Sequence, residues 1–114
     1  MSKKSNDNKR FQRHFRKFHS KETTGHPRYV YDEDGREYKV IGITKSPTTN
    51  GVPNILLEQN PEPNNKDTAY IRPQSERVKK GVRNEKLNGW KFTDKDKKKV
   101  QSVIDKDKKK KPRK

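Results

Sequence analysis

The longest run of nonpolar residues in this chain is four, Val40 to Ile43. A chain so interrupted cannot bury any segment on every side, so it must fold through short elements that each bury one face. A membrane span would need about 20 consecutive apolar residues, and the N-terminus has no apolar stretch of the kind a secretory signal carries. The expectation is a soluble, cytoplasmic protein with no membrane partner. Hydrophobic residues make up 23% of the 114 positions and charged residues 40%, which leaves material for one small domain at most.

From Gly25 the texture turns strand-like, in "RYVY" (28–31), "REYKVIGIT" (36–44), "NILLEQ" (54–59) and "TAYIRP" (68–73). Such β-branched and aromatic runs, bounded by Gly, Pro, Asn and Asp, read as strands. "DEDG" (32–35) is a turn of hairpin length that pairs the first two antiparallel. "KSPTTNGVP" (45–53), with its Asn50-Gly51 turn signal, is the segment expected to be a functional loop. Further on, Thr93 as N-cap with Asp96 three residues on, a carboxylate variant of the capping box, marks a helix N-terminus, and Val100, Val103 and Ile104 form one apolar stripe. The spacing predicts a helix over about 94–104, packed on the sheet through Trp90 and Phe92. The fold class is therefore mainly β with α: a small half-open barrel or bent antiparallel sheet plus a C-terminal helix, with basic disordered tails.

The formal net charge of +16 is unevenly placed. Residues 1–25 carry eight Lys or Arg against two acids, 26–75 six against seven, and 76–114 seventeen against six. The chain divides into a basic N-terminal arm (1–24), a domain (25–104) and a basic tail (105–114), the outer pieces too polar to offset the entropy of ordering them. "KRFQRHFRKFH" (9–19) sets Phe11, Phe15 and Phe18 at helical spacing, and reads either as a short amphipathic helix or as a flexible arm. Nucleic acid is the usual polyanion for such an excess, since each neutralised phosphate releases a counterion; anionic membrane is the rival. The cations expected to meet RNA or DNA phosphates are Arg10, Arg13, Arg16, Lys17, Lys45, Arg72, Lys79, Lys80 and Arg83. With no cysteine and only His14, His19 and His26 as nitrogen ligands, neither a disulfide nor a metal site is expected, and no cofactor.

Thr44 and Ser46 alternate by the strand period of two, so both hydroxyls can face one side as the strand ends. Pairing across a turn centred between Asp34 and Gly35 sets residue 26 near residue 43 or 44, and so brings His26 and Arg28 to the edge that holds Thr44. An ordinary strand end meeting its turn explains the two hydroxyls equally well. With "GHPRYVY" (25–31), then "VIGITKS" (40–46), then a helix, the chain resembles the PemK/MazF family of endoribonuclease toxins over roughly residues 25–73 and the helix after them. His26 stands where that family has an arginine. The resemblance implies an SH3-like barrel and metal-independent RNA cleavage, in which the ribose 2′-hydroxyl attacks the adjacent phosphate. His26 would act as base or acid, Arg28 would hold the phosphate, and Thr44 and Ser46 would donate hydrogen bonds to it. It also implies a protein antitoxin and a homodimer. Two other functions fit the residues: a non-catalytic RNA- or DNA-binding accessory protein whose basic arms grip phosphates, and an interaction protein for an acidic partner.

Overall fold

The computed structural model describes residues 11–19 and 26–109. Expectations for residues 1–10, Arg10 among them, and for 110–114 fall outside the described residues. Within them the strands β1 (His14–Phe18), β2 (His26–Glu33), β3 (Glu37–Thr44), β4 (Thr48–Thr49), β5 (Val52–Pro53), β6 (Ile55–Leu56), β7 (Tyr70–Ile71), β8 (Glu76–Lys79) and β9 (Asn84–Leu87) precede helix α1 (Asp94–Lys109). The described chain is mainly β, all its strand pairs are antiparallel, and one C-terminal helix follows the sheet.

The hairpin β2–β3 forms where the sequence places it. The Asp34 carboxylate accepts hydrogen bonds from the amides of Arg36 (3.3 Å) and Glu37 (3.2 Å), which closes a turn of the Asx type. The register sets Arg28 opposite Gly42 and Val30 opposite Val40, then slips by one residue between Val30 and Asp32. That bulge adds local bend and twist to the pair. Asn50 and Gly51 both hold positive φ, 52° and 78°, so the expected loop 45–53 contains a tight two-residue turn joining β4 to β5.

The N-terminal segment departs from expectation. Residues 14–18 are neither a helix nor a loose arm; they form β1, which pairs with β2 on one side and β9 on the other. The domain therefore starts ahead of residue 25. The physical reason lies in the two phenylalanines. Three residues apart, Phe15 and Phe18 lie on opposite faces of a strand, and each is buried in a different cluster. Strands β8 and β9, "ERVK" and "NEKL", also carry too little apolar sequence to have been expected.

The main sheet runs β6-β7-β3-β2-β1-β9, with β8 also paired to β3. In a flat sheet β8 and β9 would lie four strand spacings apart, about 19 Å. Residues 80–83 join them, and five peptide steps reach at most about 18 Å. Lys79 also pairs with Glu37 at the hairpin end, while Asn84 pairs with Phe18 at the other end of the strands. The sheet must therefore curl strongly, and the link crosses its concave side. Val78 and Val82 pack there against Phe18, Val30 and Val40. The convex side holds the larger cluster, in which Phe15, Tyr31, Ile41, Ile43 and Ile71 meet Val100, Val103 and Ile104 of α1.

Helix α1 begins at Asp94 as predicted, and the Thr93 hydroxyl accepts the Asp96 amide at 3.1 Å. The other half of the expected capping box is absent. The Asp96 carboxylate, fully buried, instead accepts the amides of Glu58 (2.8 Å) and Gln59 (3.2 Å). The helix also outlasts its apolar stripe, running to Lys109 where a tail from 105 was expected. No Gly or Pro interrupts residues 94–109, the Gln101 amide bonds Asp105 one turn on at 3.0 Å, and Ser75 donates to Asp107 from outside the helix.

Candidate nucleic-acid interface

Strand partners directly opposite one another project to the same face, so the strand register identifies which cations are neighbours. At the level of Gly42 the Arg72 amide bonds the Gly42 carbonyl (2.9 Å), Gly42 faces Arg28, Arg28 faces Arg16, and Arg16 faces Lys86. One transverse row thus reads Arg72, Gly42, Arg28, Arg16, Lys86. It lies on the concave face, because Arg28 and Arg16 sit over Phe18 and Tyr38 of the concave cluster, at 5.7 and 5.3 Å from the ring centroids. Gly42 leaves room for the Arg72 stem, whose Cγ lies 3.0 Å from where a Cβ on that glycine would stand.

Like charges facing one another across strands repel. Among the described residues the only ion pair made by this row is Arg28 with Glu76, at 3.9 Å. The row is consequently a concentrated positive stripe, built from strands far apart in sequence.

Arg16 is its best-anchored member. Its Nε donates to His14 Nε2 at 2.9 Å and its Nη1 to Asn84 Oδ1 at 2.7 Å. His14 Nδ1 lies 2.9 Å from the Gln12 carbonyl, which can only accept. The proton therefore sits on Nδ1 and Nε2 is the acceptor, which fixes the neutral tautomer. Burial holds the His14 pKa below the usual histidine value, and the charges of Arg16 and Lys86 push the same way against the Gln12 carbonyl and Glu33. A histidine with a depressed folded-state pKa contributes stability that is complete above its unfolded value, about 6.5, and is lost as the pH falls through the lowered one. The parent protein should therefore lose more thermal stability between pH 7.5 and pH 5 than a His14→Gln variant, measured by thermal denaturation. Equal losses would show that His14 is not held neutral.

The residues expected to form a catalytic set divide. His26 and Thr44 border one cleft of about 240 Å³, together with Lys45, Glu62 and Trp90. Arg28 does not line it and belongs to the concave row. Ser46 lies beyond the end of β3, so strand alternation no longer relates it to Thr44; its amide instead donates to Thr44 Oγ1 at 3.1 Å, and its carbonyl accepts Asn54 Nδ2 at 3.0 Å. Thr44 Oγ1 thus caps the turn, while its own hydrogen is still able to donate elsewhere.

The other expected phosphate contacts are scattered. Arg13 donates to Gln101 of α1 at 3.0 Å, Lys17 faces Pro27 and Glu85, and Lys45 lies 3.6 Å from Asp67. Lys79 faces Glu37, Lys80 pairs with Glu33 at 2.8 Å and stands over the Tyr38 ring, and Arg83 is exposed on the link. The sequence reading left out Lys86. With one apolar residue and no alternation, "NEKL" does not signal a strand that would align it with Arg16.

Among the described residues no three His, Asp or Glu side chains are grouped to hold a metal ion, and no helix is long and apolar enough to cross a membrane. No family model, curated protein or solved structure matches the chain.

Proposed function

We propose that this protein binds nucleic acid, single-stranded RNA in the first instance, through phosphates laid along the concave row. The observation that carries this reading is the alignment of Arg72, Arg28, Arg16 and Lys86 on one face with no acidic side chain inside the row. Arginine forks suit phosphate oxygens, and Phe18 and Tyr38 beneath them stiffen the guanidinium planes. A cytoplasmic location goes with this function.

Metal-independent RNA cleavage of the PemK/MazF kind is the second reading, supported by the shared cleft of His26 and Thr44. In it His26 moves the proton and the Thr44 hydroxyl donates to a phosphate oxygen. An antitoxin partner and a homodimer belong to that reading alone.

One experiment addresses both. Labelled single-stranded RNA is incubated with the protein in chelator at low salt, beside a His26→Ala variant. The expected result is binding that weakens steeply with added salt, equal in the two proteins, with the RNA intact. Cleavage by the parent and not by the variant would replace binding with catalysis as the function. Binding that ignores salt would overturn the phosphate row.

A further inference from the structure

Beside the edge strand β9, residues 86–92 together with residues 13–15, Tyr29 and Lys97 of α1 line a cleft of about 350 Å³. We infer that it takes one unstacked base of a single-stranded nucleic acid whose phosphates follow the concave row, an inference that rests on the binding function proposed above.

Four aromatic rings meet at this cleft. Phe15 is the hub, with its centroid 5.7 Å from Trp90, 4.9 Å from Phe92 and 5.0 Å from Tyr29. Phe15 and Phe92 are buried, whereas Trp90 and Tyr29 keep part of their surface in solvent. The cleft volume is at the small end of ligand sites, which span about 300–1,000 Å³. Gly89, at a φ of 85°, makes the turn that delivers Trp90, and a Cβ there would approach Pro63 to 3.4 Å.

The charges around the rings match the ligand. Arg13, Lys86, Lys91 and Lys97 line the cleft, and no carboxylate does. Lys97 has Asp94 at 3.9 Å outside it. An aromatic-walled hole ringed by cations suits a flat base tethered to phosphates better than an apolar peptide side chain, which gains nothing from the cations. Lys86 belongs both to this cleft and to the end of the row, so a strand that follows the concave row and turns round the edge strand β9 reaches the opening on the convex side. Trp90 also borders the cleft of His26 and Thr44, and so forms a wall shared by the two.

Trp90 is the only tryptophan in the chain, so its emission reports on this cleft directly. The full-length protein is titrated with a uridine 12-mer RNA, with the matching deoxyuridine 12-mer, and with inorganic polyphosphate of the same length, while binding is followed separately by displacement of a labelled RNA. Both oligonucleotides should quench Trp90, and polyphosphate should displace labelled RNA without quenching, because it has no bases. Trp90→Ala should weaken oligonucleotide binding about tenfold, the scale of one stacked base, and leave the salt dependence unchanged; Trp90→Phe, which keeps a ring and the packing on Phe15, should lose less. Oligonucleotide binding with no quenching, and with affinity untouched in both variants, would overturn the base cleft and leave the phosphate row standing. Failure of all three polyanions to bind would overturn the row and the cleft together.

Discussion

Replacing Arg16 and Arg28 together by alanine should weaken binding to single-stranded RNA about 100-fold or more at physiological salt. A charge-assisted hydrogen bond contributes about 1.5–3 kcal/mol, and each tenfold in affinity is about 1.4 kcal/mol, so two such contacts reach that size. The slope of log affinity against log salt should flatten by about 1.4, since each phosphate neutralised on a single strand accounts for about 0.7. The control removes the same charge elsewhere: Lys98 and Lys106 are exposed on α1, away from the row. Their double alanine variant should bind within about threefold of the parent, because charges far from the contact are screened. If both double variants lose affinity equally, net charge alone governs binding and the row has no special place. Folding is checked alongside by thermal denaturation, since Arg16 also bonds His14 and Asn84.

Asp96→Ala should destabilise the domain by about 3 kcal/mol, which for a chain of this size lowers the melting midpoint by roughly 12–24 °C. The carboxylate is fully buried and accepts two amides from a segment 37 and 38 residues earlier. Lys99 Nζ approaches it at 3.5 Å. Alanine would leave both part-buried amides without their acceptor, and each orphan costs about 1–3 kcal/mol. Asp96→Asn keeps one acceptor oxygen and should lose about half as much. The consequence extends to the clefts, because Glu58 and Gln59 lead into the Asn60–Asn65 stretch that walls the His26 and Thr44 cleft. Midpoints within about 3 °C of the parent for both variants would show that this carboxylate does not anchor the helix to the sheet.

Much of the fold was legible because its signals are local. The hairpin follows from period-two alternation flanking an Asp/Gly turn; Arg28 faces Gly42, and His26 and Thr44 just beyond that pair border one cleft. Thr93 announced the helix start. The N-terminal aromatics misled because Phe11, Phe15 and Phe18 satisfy helical spacing, and nothing in "HFRKF" reveals that two neighbouring strands will claim its hydrogen-bonding edges. Asp96 looked like half of a capping box, and its real partners lie far back in the chain. The site was legible in the same proportion. The hairpin brought His26 and Thr44 to one cleft but left Arg28 out of it, in the concave row, and the neighbours of Arg16, including Asn84 at a separation of 68 residues, were not legible at all.

By itself, then, the sequence determined a small, mainly β domain with one hairpin, one amphipathic C-terminal helix and a large positive charge. Side-chain periodicity, turn chemistry and capping act between residues a few positions apart, and they suffice for that. Only the tertiary structure decided that Arg72, Arg28, Arg16 and Lys86 stand in one row, and that Trp90 separates two clefts. Those neighbours are set by pairings between distant strands and by the curl that brings β8 and β9 within reach of a four-residue link. Such pairings depend on the summed burial of two separate clusters, to which no single segment of the chain holds the key.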